Sequence, residues 1–148
     1  MQSPRDTGCQ GYKTALDFEI SMAFQPIVDV EQRRIFAYEA LVRGVDGSTA
    51  ESVLARVDED NRYAFDQRCR VRAVEIAAAL HMKEMLSINF MPNAVYEPSR
   101  CLRTTLETAL RSGFPVDQII FETTEDERVQ DPEFLRYIFA TYRMHGFK

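Results

Sequence analysis

Three runs of this 148-residue sequence set side-chain oxygens against β-type residues: Tyr38-Glu39-Ala40-Leu41, Ser87-Ile88-Asn89-Phe90 and Phe121-Glu122-Thr123-Thr124-Glu125. Strand side chains alternate, so Glu39 shares a face with Ile35, Ala37 and Leu41. A carboxylate buried there without a partner is expensive, which calls for a cation, a metal or hydrogen-bond donors nearby. The competing reading is a strand-end glutamate that reaches solvent. Asn89 closes its run where an amide oxygen could enter a metal shell or cap the next helix. Glu122 and Glu125, three residues apart after a strand, could act as general acid and base, as metal ligands, or as a capping segment. An all-oxygen donor set suits Mg²⁺, Mn²⁺ or Ca²⁺ better than zinc.

The elements around these residues decide whether they can meet. Residues 23–30 and 34–41 flank Glu31-Gln32-Arg33, a length that suits a hairpin loop, so the first two strands are expected to be antiparallel neighbours. A helix is expected over Thr49–Val57 with Ser48 or Thr49 as N-cap, and a longer one over Asn61–His81. The apolar stripe of the longer helix is read as Tyr63, Phe65, Val71, Val74, Ala77, Ala78 and Leu80, and its arginines 62, 68, 70 and 72 as a solvated face. A strand follows over Met85–Phe90. A helix over Ser99–Ser112 buries Leu102, Leu106, Ala109 and Leu110 and stops at Gly113. The last pair is a strand over Val116–Phe121 and a helix from Asp131 or Pro132 to His145, with Phe134, Leu135, Ile138, Phe139 and Tyr142 inward. Strands that alternate with helices imply parallel pairing through crossovers, with all C-terminal strand ends on one side. Glu39, Asn89 and Glu122 would then converge at one rim, where barrel enzymes place their chemistry.

Composition excludes some functions. With 45% apolar and 28% charged residues the chain is globular, and a net charge of −5 argues against DNA binding through bulk charge. Three scattered cysteines without a CxxC pattern read as reduced thiols of a cytoplasmic protein, not as a zinc site. No apolar run reaches the roughly 18 residues of a membrane-spanning helix.

The combination of Phe24-Gln25-Pro26-Ile27-Val28-Asp29, Tyr38-Glu39-Ala40-Leu41-Val42-Arg43-Gly44, the later SINFMPNAVY stretch and Glu122-Thr123-Thr124-Glu125 resembles the bacterial EAL domain. The resemblance implies a partial (β/α)8 TIM-type barrel that starts with an antiparallel strand pair. It also implies a metal-dependent hydrolase of cyclic di-GMP signalling, which converts cyclic di-GMP to pGpG with two divalent ions, Mg²⁺ or Mn²⁺. By matching motifs, Glu39, Asn89 and Glu122 would be metal ligands and Gln25 and Arg43 substrate contacts. Glu39 and Glu125 would be the catalytic carboxylates, Glu125 by positioning an active-site loop. On this reading residues 1–16 are a tail or linker and 17–148 the N-terminal part of the domain, ending before the family's DDFG segment. Hydrolysis is therefore expected to be weak or absent and cyclic di-GMP binding weakened. Self-association or a partner protein would cover the open barrel flank. The alternative is a degenerate EAL protein that acts as a protein–protein interaction or regulatory module.

Overall fold

The computed structural model describes residues 15–124 and 128–148. The first strand, β1 (Ile20–Asp29), turns back into β2 (Arg34–Gly44) in an antiparallel pair whose register places Gln25 across from Glu39. The turn is closed by Asp29, whose Oδ1 accepts the Gln32 N–H at 2.9 Å, and by Arg33 at φ 50°. Short α1 (Ala50–Leu54) starts at Thr49, whose hydroxyl accepts the Ser52 N–H at 3.3 Å, and stops well before Val57. Then come α2 (Arg62–Ala79), β3 (Met85–Asn89), α3 (Pro98–Ser112), β4 (Ile119–Glu122) and α4 (Pro132–Met144).

Caps and stops are local and readable. Glu97 caps α3, accepting from the Ser99 and Arg100 N–H groups, with Pro98 at the first turn where its missing N–H costs nothing. Gly113 ends the helix at φ 73°, a conformation that side chains other than glycine adopt only with strain. Asp131 and Pro132 do the same work for α4, the Asp131 carboxylate accepting the Phe134 N–H at 3.0 Å.

The sheet runs in the order β1-β2-β3-β4, and β2, β3 and β4 are mutually parallel. Each parallel step crosses over through a helix, as the alternation of elements requires. Lys148 continues the pattern outside β4: its N–H donates to Ile119 O at 3.0 Å and its carbonyl accepts the Phe121 N–H at 2.9 Å. Leu86 and Ile88 of β3 and Ile119 and Phe121 of β4 belong to one buried cluster with Ala73, Val74 and Ala77 of α2, Leu102 of α3, and Ile138 and Tyr142 of α4. Full burial of each large side chain contributes about 1.5–3 kcal/mol. That cluster occupies one face of the parallel strands, so the alternate residues Ser87, Asn89, Ile120 and Glu122 take the other. A second cluster, Phe18, Ile20, Val53 and Phe65, seals the hairpin end. This is the α/β partial barrel, antiparallel pair first, that the sequence implies.

Several sequence expectations need correction. Val116–Gln118 is a 3₁₀ turn held by Gln118 N–H to Pro115 O at 3.1 Å, so β4 starts only at Ile119. Leu80 and Leu110, assigned inward, are 63% and 75% exposed, Leu80 because it lies just past the last residue of α2, Ala79. Arg70, assigned to a solvated face, is completely buried. Cys69 is a free thiol, in line with the reduced-thiol reading. Among the described residues, no helix is long and apolar enough to cross a membrane.

Candidate functional site

Strand register brings the oxygen-bearing residues to one face. Glu39 of β2 lies across from Ser87 of β3, and Asn89 of β3 across from Glu122 of β4. Side chains paired across a ladder project from the same side, and residues two apart do so as well, which places Glu39, Ser87, Asn89 and Glu122 together. The contact is direct for one pair: Asn89 Nδ2 donates to Glu39 Oε1 at 2.8 Å, across 50 residues of sequence. Gln25 joins the face from β1 as the cross-strand partner of Glu39 and is exposed. Arg43, four residues beyond Glu39 on β2, turns Nη1 to Val42 O at 2.7 Å and is half-buried. Its neighbour Gly44 closes the rim loop through Gly44 N–H to Ser48 O at 3.0 Å, where any side chain on Gly44 would collide with the Ser48 hydroxyl. Glu125 lies outside the described residues.

A divalent cation can be tested against this arrangement. A half-turn of the Asn89 amide exchanges its nitrogen and oxygen positions. It would then set an amide oxygen about where Nδ2 now sits, 2.8 Å from Glu39 Oε1. Adjacent ligands of an octahedral Mg²⁺ at 2.0–2.1 Å are about 2.9 Å apart, so the spacing fits a hard cation. Among the described residues, two carboxylates and one amide are what the rim offers. Among the described residues, no three His, Cys, Asp or Glu side chains come together in a metal-holding group.

Behind the rim is a group of residues that sequence reading missed. Asp66 of α2 accepts the Met91 N–H on Oδ1 at 2.8 Å, two residues after Asn89. Its Oδ2 accepts the Arg70 Nε–H at 2.9 Å and lies 2.9 Å from Nη2 as an ion-pair contact. Arg70 Nη1 then donates to the Tyr142 hydroxyl of α4 at 2.9 Å. The guanidinium carbon sits 5.4, 5.1 and 5.5 Å from the ring centres of Phe90, Phe121 and Tyr142, in reach of cation–π attraction. Phe90 follows Asn89 and Phe121 precedes Glu122, so this one cation is packed beneath both strand ends. Burial drives the Asp66 carboxyl upward from its ordinary pKa, opposed by Arg70 and the Met91 N–H. Burial alone would lower the Arg70 pKa, but Asp66 and Tyr142 raise it further, so the guanidinium stays charged. Burial also pushes the Tyr142 phenol upward. The signal was in the sequence: Tyr63, Asp66, Arg70, Val74 and Ala77 follow a three- and four-residue spacing, which puts the i,i+4 acid–base pair inside the buried stripe.

Beside Asn89 opens a groove of about 490 Å³, lined by Met22, Leu41, Leu54, Phe65, Cys69 and Met91. Thr124 and Asp66 contribute polar edges. Burial raises the pKa of the Cys69 thiol there, which keeps it protonated and unreactive.

Comparison with known proteins decides the family, because the EAL domain model matches residues 12–148. The chain belongs to the EAL domain family. Its fold superposes on a c-di-GMP bound form of a standalone versatile EAL protein from Vibrio cholerae O395 with a TM-score of 0.85 at 54% identity, covering 90% of this chain and 56% of that one. Klebsiella pneumoniae BlrP1, in a manganese/cyclic di-GMP complex, gives a TM-score of 0.78 at 27% identity over 92% of this chain and 35% of that one. The blue light- and temperature-regulated antirepressor BluF of Escherichia coli K12 is 31% identical over 106 residues, 71% of this chain and 26% of BluF. This EAL chain therefore spans about half the length of the Vibrio protein and about a quarter of BluF. It shares the family of cyclic di-GMP signalling, whose solved relatives include complexes with calcium and manganese.

Proposed function

We propose that this chain is a cyclic di-GMP and divalent-metal binding part of an EAL domain, which holds its ligand at the β2–β3–β4 rim and does not hydrolyse it by itself. The observation that carries the reading is the 2.8 Å contact between Glu39 and Asn89, with Glu122 next in register. Glu39, Asn89 and Glu122 would hold the metal, Mg²⁺ or Mn²⁺, and Glu125 belongs to the same segment as Glu122. Bound there, such an ion supplies positive charge against a phosphodiester oxygen. The chain's own part is to bind and orient. Arg43 carries a planar guanidinium suited to two phosphate oxygens, once it leaves the Val42 carbonyl. Gln25 offers an amide from the neighbouring strand. Two-metal hydrolysis needs a clamp on both the attacking and leaving oxygens. Among the described residues two carboxylates and an amide face the rim, fewer ligands than such a clamp needs, so the expected outcome is binding without turnover.

Titration calorimetry of the purified 148-residue protein with cyclic di-GMP, in Mn²⁺, in Ca²⁺ and in chelator, tests this reading. Saturable binding that needs metal and is lost in Glu39→Gln and Glu122→Gln supports it. Chromatography for pGpG and a bis(p-nitrophenyl) phosphate assay should show no sustained product. Robust turnover would overturn the non-hydrolytic part, and absence of binding under every condition would overturn the site. A second reading, a regulatory module that works through a protein partner or a second copy, is favoured by the likeness to an antirepressor. Exposed apolar residues on the hairpin, Val28 and Phe36, and on α4, Tyr137 and Met144, also favour it. A stable partner or dimer in sedimentation, with no nucleotide binding, would select that reading. Both readings place the protein in the cytoplasm.

A further inference from the structure

Ser87 sits in the middle of β3, is fully buried, and its hydroxyl oxygen has no hydrogen-bond partner among the described residues. Buried polar side chains nearly always have one, and an orphan hydroxyl destabilises the fold that carries it. Alanine would pack there without that penalty. The position of the orphan is informative. Ser87 is the register partner of Glu39 on one side and of Ile120 on the other, and it lies two residues before Asn89 on the same face. The other buried polar atoms without a hydrogen-bond partner among the described residues, the Gln67 amide and Arg70 Nη2 on α2 and Thr105 Oγ1 on α3, lie on helices, not on the strands.

As the chain stands, Glu39 Oε1 is held by Asn89 Nδ2. For Asn89 to set its oxygen beside Glu39 Oε1 on one cation, its amide makes a half-turn, and that removes the donor from Glu39. The carboxylate then needs another donor to stay aimed, and the hydroxyl directly across the ladder is unspent. We propose that Ser87 is a positioning residue for Glu39, its O–H orienting the carboxylate when Asn89 turns its amide oxygen to a divalent cation. This rests on the metal-site reading of the rim given above. Partners of this kind fix ligand orientation, and their loss typically weakens metal binding about 10–100-fold.

The test uses Mn²⁺ alone, with free Mn²⁺ read by electron paramagnetic resonance, and thermal melts of the metal-free protein. Ser87→Ala should bind Mn²⁺ at least about 10-fold more weakly, while its metal-free melting temperature is equal to or above that of the wild type, because an unpartnered hydroxyl has been removed. Ser87→Thr, which keeps the hydroxyl, should recover most of the affinity. Ser87→Cys, similar in size but a weak donor, should fall between and guards against a packing effect of the threonine methyl. Wild-type affinity in Ser87→Ala alongside loss of binding in Glu39→Gln overturns the role of Ser87 and leaves the metal site standing. Unchanged affinity in Glu39→Gln overturns the metal site itself. A lowered metal-free melting temperature in Ser87→Ala makes Ser87 a packing residue and also overturns the proposal.

Discussion

Removing either member of the Asp66–Arg70 pair should destabilise the protein far more than removing both. Asp66→Asn keeps an acceptor for the Met91 N–H but strands the Arg70 charge at a position with no solvent exposure. Arg70→Met fills the space with apolar volume and strands the Asp66 carboxylate, 3% exposed. Breaking a buried pair in this way costs about 3–5 kcal/mol, against a total stability of about 5–15 kcal/mol for a typical domain. The double variant leaves no buried charge. Its main remaining debt is the Tyr142 hydroxyl, which loses Arg70 as its donor, at about 1–3 kcal/mol. Independent effects would sum to about 6–10 kcal/mol, so the gap between sum and double variant is large enough to decide. Urea unfolding followed by circular dichroism reads it: at about 2 kcal/mol/M, each single change should lower the midpoint by about 1.5–2.5 M and the double change by about 0.5–1.5 M. The pH dependence gives an internal check. Burial holds the Asp66 pKa above the unfolded value of 3.8, and Arg70→Met removes the cation that opposes this rise. A carboxyl whose folded pKa is raised has its full stability below the unfolded pKa and loses it as pH rises through the folded one. The Arg70→Met penalty should therefore shrink toward acid and grow toward neutrality. A double variant as unstable as the sum of the singles would refute the ion-pair account and leave packing as the explanation.

Tyr142 is the second titration test: its phenol is raised above 10 by burial, so its stabilising neutral form is kept below that pH and lost as pH climbs beyond it. Ultraviolet titration should show one of the six tyrosines ionising later than the rest and together with unfolding, and Tyr142→Phe should abolish that late step. Gly113→Ala should lower stability by about 1–2 kcal/mol through strain at φ 73°, since a Cβ there meets no atom within 4 Å; a neutral result in denaturant titration would contradict the helix stop. Mn²⁺ at about 100 times its dissociation constant should stabilise the wild type by about 2.7 kcal/mol, reversed by chelator and absent in Glu39→Gln, as thermal melts will show.

What could be read from residue order alone was much of what local spacing sets, though not the 3₁₀ turn at Val116–Gln118 or the early end of α1. The Glu31-Gln32-Arg33 turn between two β-type runs gives the hairpin, and Gly113 and Asp131-Pro132 mark a helix end and a helix start. The oxygens of Glu39, Asn89 and Glu122 at strand ends, with the FQPI and EAL segments, were enough to name the family. Periodicity tells which residues share a face, but not what meets that face. Leu110 follows the apolar stripe of α3 yet is exposed, and Arg70 looks like one more surface arginine yet is sealed under three aromatic rings. The Glu39–Asn89 hydrogen bond and the place of the Ser87 hydroxyl across from Glu39 depend on parallel register between strands some 50 residues apart, and the Asp66 clasp on Met91 depends on α2 packing against the segment that follows β3. Register is fixed only when α2, α3 and α4 pack on the sheet and choose which strand residues turn toward them. Sequence thus determined which oxygen-bearing residues stand on the strands, and tertiary packing decided which of them face each other and what holds them from behind.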